Sequence, residues 1–230
     1  MRHSGAARGI AVVVPAHNEA RTIAGTIDAI LAQTRPAAEV HIVCNACSDD
    51  TAGVARRYPV TVHTTARAGV SHARNLGARA ARAELLLFVD ADVTLPQQLL
   101  ATIGAVTRNA RTPVGTVRVR PDRRRYTLAY HAAALLIPLA RAASNGLIFC
   151  SRDAFLGAGG FPEEMHVGED NVFMRSARRQ AGARYHFLRH PSAISSTRRI
   201  QRWGTAKLLM TWIRGTTAID KRSIQYEAVR

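Results

Sequence analysis

At 230 residues, 47% hydrophobic and 21% charged, the chain has apolar material for a core, which excludes a disordered chain and favours a single α/β domain. No run of about 18 apolar residues occurs, so no transmembrane helix is expected. Lys and Arg total 32 against 16 acidic residues, and nearly all the cations are arginine.

The charge is uneven. Residues 1–115 carry 12 basic and 8 acidic side chains, a net of +4, and residues 116–230 carry 20 and 8, a net of +12. A polyanionic partner suits the second half: donor phosphates, a lipid phosphate, an anionic membrane or nucleic acid. An arginine-decorated surface without such a partner is the plainer alternative. The three cysteines, Cys44, Cys47 and Cys150, suggest no disulfide framework, and residues 1–9 lack the apolar stretch of a secretory signal. A reducing, cytoplasmic setting is expected.

Ile10 to Val14 is a short β-branched run, as a buried parallel strand reads. Glu19 to Gln33 places Ile23, Ile27, Ile30 and Leu31 on one helix face. Val40 to Cys44 predicts a second strand, after which Ser48 or Asp49 is expected to cap a helix running through Arg57. Val60 to Thr64 predicts a third strand, Ser71 to Ala83 a helix and Glu84 to Val89 a fourth strand. Beyond Pro96 the pattern gives a helix over 97–108, a strand over 114–120, a helical stretch over 126–143 and a short strand over 147–150. A glycine-rich turn, 157–162, precedes a helix over 170–180, a last strand over 184–188 and a short helix over 203–214.

Strands alternating with helices predict a doubly wound, mostly parallel sheet. Ligands of such sheets sit at the carboxyl ends of the strands. The polar residues just after them, His17-Asn18-Glu19, Asn45 to Asp50 and Asp90-Ala91-Asp92, are therefore expected to face one crevice. Two carboxylates flanking one small residue offer hard oxygen ligands to Mg²⁺ or Mn²⁺. Asp90 as a turn cap and Asp92 as a solvated carboxylate are the alternative. Glu169 and Asp170, at a predicted helix start, read either as dipole-favoured cap residues or as a general base. Cys44 and Cys47 have CxxC spacing but no second pair, and neither zinc nor redox work is expected of them.

Six pieces, IAVVVPAHNE, CSDDT, GVSHARNLG, LLFVDADV, SRDAFLGAGGF and GED, stand in an order and spacing that resemble the family 2 glycosyltransferases. The resemblance spans roughly residues 10–190. It implies the GT-A fold, a single Rossmann-like, mostly parallel α/β sheet flanked by helices, and an inverting hexosyl-type transfer dependent on a divalent metal, Mn²⁺ or Mg²⁺. The implied organisation is a flexible segment over 1–9, the GT-A domain over 10–200 and a helical tail over 201–230. Cell-envelope glycan or glycolipid synthesis is the implied setting.

The resemblance also implies roles. Pro15, Ala16 and Glu19 match the loop that holds the nucleoside, and Asp49 matches the aspartate of the second loop. Gly69, Arg74 and Asn75 match the segment closing over the nucleotide, with Arg74 facing a phosphate or the base. Asp92 is the expected metal ligand, with Asp90 on the ribose or the metal and Ala91 between them. Asp170 is the expected catalytic base, paired with Glu169. The second loop departs from the pattern, because Cys44 and Asn45 stand where an aspartate reads the base; Asn45 retains an amide for that work. UDP is the default donor nucleotide and GDP the alternative. Arg198 and Arg199 resemble a basic segment that folds over the diphosphate, and His190 is read as a structural histidine more readily than as a metal ligand. The helix with Trp203 and Trp212 suits either an anionic membrane surface at the inner face of the cell membrane or packing against the domain. The acceptor is unnamed by the sequence. The rival readings are a GT-A-like nucleotidyltransferase, an inactive relative, and a basic non-catalytic nucleic-acid-binding protein; no nucleic-acid-binding signature is present.

Overall fold

The computed structural model describes residues 8–128, 130, 147–165 and 168–198. The expected tail over 201–230, most of the helical stretch over 126–143 and the first seven residues lie outside them.

Eight strands form one sheet in the order β3-β2-β1-β4-β7-β6-β8-β5. These are β1 (Ile10–Ala16), β2 (Glu39–Asn45), β3 (Thr61–Thr65), β4 (Leu85–Phe88), β5 (Val93–Thr94), β6 (Pro113–Pro121), β7 (Ile148–Ser151) and β8 (Arg184–Ser195). The pairs β1–β2, β1–β4, β2–β3 and β6–β8 are parallel, while β4–β7, β6–β7 and β5–β8 are antiparallel. The mostly parallel α/β sheet expected from the sequence is therefore present, with β7 as an antiparallel seam. All seven residues of β1 are buried, which is why that stretch reads as a continuous apolar run rather than an alternation.

The helices are α1 (Ile23–Leu31), α2 (Thr51–Ala55), α3 (Val70–Ala80), α4 (Leu99–Thr107), α5 (Arg152–Gly157) and α6 (Glu169–Gln180). Ile23, Ile27 and Ile30 of α1 and Leu99, Leu100 and Ile103 of α4 join Val12, Val14, Ile42 and Val117 on one face of the sheet. On the other face, Ala73 of α3, Phe155 of α5 and Phe173 and Met174 of α6 pack on Val13, Val43, Leu86 and Phe88. There Phe161 stacks on Phe173 at 4.3 Å between ring centroids and meets Phe88 edge-on at 4.9 Å. This aromatic knot anchors the first half of α6, whose opening residues are Glu169 and Asp170.

Several boundaries differ from the sequence reading. The helix expected from Glu19 begins at Ile23, because residues 19–22 form a turn in which the Thr22 and Ile23 amides donate to the Glu19 carbonyl at 3.0 and 2.9 Å. The residue preceding α2 is Asp50 rather than Ser48 or Asp49, although Asp49 Oδ1 does accept from the Thr51 amide at 3.0 Å. The last strand, expected to end at Leu188, continues to Ser195, since a shift of register beyond Val117 lets Ala193 pair with Val119. β5 and α5 are additional elements, each too short to show a periodic pattern.

Candidate active site

The carboxyl ends of β1, β2 and β4 lie side by side, and the polar residues after them are joined by hydrogen bonds. His17 Nδ1 donates to the Asn45 carbonyl at 2.7 Å. Asn18 Oδ1 accepts from the amides of Ser48 at 2.7 Å and Asp49 at 3.3 Å. Asn18 and Ala46, both at strand ends, have φ of 55° and 47°, a left-handed conformation that an alanine adopts only under surrounding constraint. Asp49 Oδ2 accepts from the Ala20 amide at 3.0 Å, and Thr51 Oγ1 accepts from the Glu19 amide at 2.8 Å. Burial alone raises Asp49, but hydrogen bonds from Thr51 and Ala20 outweigh it and hold this carboxyl below its ordinary range.

Asn45 is buried, with its amide nitrogen donating to the Ala16 carbonyl at 2.8 Å and its oxygen accepting from the Gly69 amide at 3.1 Å. It ties the ends of β1 and β2 to the start of α3. Gly69 itself has φ of 134°, which requires glycine there. Asn75 lies deeper, 1% exposed. Its amide nitrogen donates to the Phe161 carbonyl and to Glu163 Oε1, both at 2.9 Å, and its oxygen accepts from the Phe161 amide at 2.8 Å. The glycine-rich turn is thereby fastened to α3 from beneath. Pro15 and Ala16 are the last two residues of β1, and Ala91 sits in the core with its carbonyl accepting from Thr26 Oγ1 at 2.9 Å.

Arg74 connects the two acidic motifs. One of its terminal nitrogens donates to Glu169 Oε1 at 2.8 Å and the other to Asp90 Oδ1 at 3.0 Å, and the guanidinium lies 5.2 Å from the centroid of the Phe161 ring. The side chain is only 3% exposed, so these carboxylates are the charges that make its burial tolerable. Burial and the neighbouring Asp170 carboxylate push Glu169 up to about 7 against the pull of Arg74. Asp170 opens α6 beside Glu169, its Oδ1 accepting from the Asn171 amide at 2.7 Å.

Asp92 faces a cation supplied by the chain. A terminal nitrogen of Arg198 lies 2.8 Å from Glu19 Oε2 and 3.5 Å from Asp92 Oδ2. The end of β8 sets this position, because Ser195 pairs with Val93 and the Ser196 amide donates to the Asp92 carbonyl at 3.3 Å. Two hard carboxylate oxygens converging on one positive group form a donor set that suits Mn²⁺ or Mg²⁺. Among the described residues, no group of three or more His, Cys, Asp or Glu side chains gathers closely enough to hold an ion by itself. An ion at Asp92 would therefore take its remaining ligands from water and a bound phosphate, as Mg²⁺-type sites usually do.

Of the expected residues, the structure joins Glu19, Asp92 and Arg198 in one group and Arg74, Asp90, Glu169 and Asp170 in another. His190 is exposed on β8, Cys44 and Cys150 are buried unpaired thiols, and Arg199 lies outside the described residues. Burial and the adjacent Cys47 push the Cys44 thiol up to about 12, which leaves it inert at neutral pH. Asn18, expected among the residues facing the crevice, is found there; sequence reasoning missed Thr51 and Glu163 as site residues. Thr51, in the SDDT run, carried a recognisable turn signal; nothing short of the fold connects Glu163 with Asn75.

A curled, mostly parallel sheet with acidic residues at adjoining strand ends defines the GT-A class of nucleotide-sugar-dependent folds. The family model for glycosyl transferase family 2 matches residues 11–177, and the chain belongs to that family. Among solved structures it resembles a Pyrobaculum calidifontis mannosyltransferase in complex with GDP-Man and Mn²⁺, with a TM-score of 0.72 and 22% identity over 90% of this chain and 63% of that one. It is also similar to residues 1–349 of S. aureus TarS in complex with UDP-GlcNAc, with a TM-score of 0.69 and 21% identity over 83% of this chain and 59% of that one. A third is the Mycobacterium tuberculosis glucosyl-3-phosphoglycerate synthase in complex with Mn²⁺, UDP and phosphoglyceric acid, with a TM-score of 0.63 and 19% identity over 93% of this chain and 80% of that one. The chain thus spans less than two thirds of the length of the first two. No curated protein sequence matches it closely. No helix among the described residues is long and apolar enough to cross a membrane.

Proposed function

We propose that the protein is a metal-dependent, inverting glycosyltransferase that moves a sugar from a nucleoside-diphosphate donor to an acceptor hydroxyl. The observation that carries this reading is the pair of ionic groups Glu19–Arg198–Asp92 and Asp90–Arg74–Glu169, which bring carboxylates and guanidinium groups together at the ends of neighbouring strands. The ends of β1 and β2, with Pro15, Ala16 and Asn45, and the loops after them, with Glu19 and Asp49, form the nucleoside side, and Gly69 closes it at the head of α3. Asn75 supports that layer from below.

Asp92, with Glu19 beside it, would hold Mn²⁺ or Mg²⁺, while Asp90, the second ligand that the resemblance implies, is engaged by Arg74. When bound, such an ion neutralises charge growing on the departing diphosphate. Arg198 reaches the same place and supplies part of that neutralisation from the chain itself. Arg74 fixes Asp90 and Glu169 in one orientation, which settles the first turn of α6. Asp170 then takes the proton of the acceptor hydroxyl as it attacks the anomeric carbon from the face opposite the diphosphate. In-line displacement inverts that centre and requires no covalent sugar–enzyme intermediate.

UDP is the donor nucleotide we adopt and GDP the alternative, because the three similar structures contain both kinds and Cys44 and Asn45 replace the usual base-reading aspartate. The unpaired cysteines fit a cytoplasmic setting, and the basic second half is compatible with a role in cell-envelope glycan or glycolipid synthesis and peripheral contact with an anionic membrane. Thermal-shift screening of UDP- and GDP-sugars with Mn²⁺ identifies the donor. Asp170→Asn is then expected to keep donor binding and to lower transfer by about 10²–10⁴-fold. Normal transfer by that variant refutes the base assignment.

A further inference from the structure

The active site described so far does not use the densest concentration of positive charge in the described chain. Arg118, Arg120, Arg123, Arg124 and Arg125 occupy the end of β6 and the single helical turn after it, and four of the five are exposed. Among the described residues no carboxylate forms an ion pair with any of them. Asp122, the acid within the run, instead accepts from the Thr197 amide at 3.1 Å and the Thr197 hydroxyl at 2.5 Å.

The register of the sheet fixes where this charge lies. Phe88 of β4 and Thr116 of β6 both pair with Ile148 of β7, and both strands run antiparallel to β7. Asp90 and Arg118, each two residues further on, therefore stand level at the same end of the sheet, two strand spacings or about 10 Å apart. Val117 and Val119 enter the core beneath α1 and α4, so the alternation of β6 turns Arg118 and Arg120 to the opposite face. That face carries α6, whose Phe173, Met174 and Ala177 pack with Val114 of β6. Arg120 is held there by its Nε, which donates to Ser192 Oγ at 2.6 Å. The pair thus stands on the side of the metal motif away from the nucleoside loops of β1 and β2, with Arg118 about 10 Å from Asp90.

We propose that Arg118 and Arg120 form the phosphate-recognising wall of the acceptor site, so that the acceptor carries a phosphate near the hydroxyl that receives the sugar; this rests on the glycosyltransferase reading above. Guanidinium groups bind phosphate oxygens through paired, charge-assisted hydrogen bonds, and Arg123 to Arg125 extend the field along which an anionic acceptor approaches. The shared chemistry is a phosphate ester, on a soluble molecule or on a lipid headgroup.

The test uses the full chain with two probes, sn-glycerol 3-phosphate in solution and phosphatidylcholine vesicles containing phosphatidic acid. Wild type is compared with Arg118→Gln/Arg120→Gln and with Arg56→Gln/Arg57→Gln, a control that removes the same charge from exposed positions beside α2. The β6 double variant is expected to lose about tenfold or more in affinity for at least one probe while the control stays near wild type. Loss confined to glycerol phosphate identifies a soluble acceptor, and loss confined to vesicles a lipid-borne one. Equal losses in the two variants, unchanged binding in the β6 variant, or no phosphate-dependent binding to either probe overturns the proposal. Mn²⁺-dependent binding of UDP or GDP, measured on the same samples, separates the two readings. If it is absent from wild type, the donor site is wrong; if it is intact while the phosphate probes ignore Arg118 and Arg120, only the acceptor wall is wrong.

Discussion

Arg198 lies between Glu19 and Asp92, where the proposed mechanism would set a donor-bound cation, and that position would give it two opposed effects. Without donor, its guanidinium competes with a metal ion for Asp92 and Glu19. With donor, the same charge is free to turn toward the diphosphate. Arg198→Gln is therefore expected to strengthen binding of Mn²⁺ alone by a few-fold and to weaken binding of UDP or GDP in its presence. Isothermal titration of the metal and then of the nucleotide reads both effects; tighter nucleotide binding contradicts the assignment. Glu163 shows a different balance. Hydrogen bonds from Asn75 and His72 and the charge of Arg67 hold its carboxyl below the ordinary value of 4.5, despite partial burial. A lowered carboxylate contributes stability that is present above its unfolded value and lost as pH falls through the folded one. Melting temperature should thus drop below about pH 4.5, and Glu163→Gln should flatten that acid limb. Parallel curves for the two proteins contradict this.

At the level of elements, the packing of α3 decides whether the site assembles. The helix carries Arg74 and Asn75 and presses on β1 and β2 through Gly77, where an added methyl would collide with Val13 Cγ1 and stand 3.1 Å from Val43 Cγ2. Gly77→Ala is expected to cost about 1–3 kcal/mol by overpacking, read as a lower urea midpoint with an unchanged slope; an unchanged midpoint refutes the close approach. The strands beside this helix were legible because burial on both faces leaves unbroken apolar runs, as in Ile10 to Val14 and Leu85 to Val89. β8 was legible only as far as Leu188, since the register shift after Val117 interrupts the alternation that marks a strand. The two-residue β5 has no period to detect. Yet that short pairing, Val93 with Ser195, brings Arg198 to Asp92.

Across the whole molecule, the crossovers from β1 through β4 place three loops at one edge, and β7 reverses direction so that β6 points its arginines to the same edge. Charge is divided accordingly: acidic groups where the nucleotide-sugar would bind, and, about 10 Å across the sheet, arginines that no carboxylate among the described residues pairs with. The candidate site was readable as a set of residues, because polar tips after apolar strands and the spacing of the family motifs are properties of the sequence. How those residues are connected was not readable. Arg74 was expected to face a phosphate or the base, and in the structure it bonds both Asp90 and Glu169, the latter 95 residues away, a connection that only the folded sheet creates. Asn45 and Asn75 likewise have amides engaged within the fold.

Binding of Mn²⁺ with UDP or GDP, followed by electron paramagnetic resonance on wild type, Asp92→Asn and Asp170→Asn, tests the donor site most directly. A protein–metal–nucleotide complex is expected for wild type and Asp170→Asn, and its loss for Asp92→Asn. An Asp92→Asn protein that forms the complex as tightly as wild type contradicts this expectation.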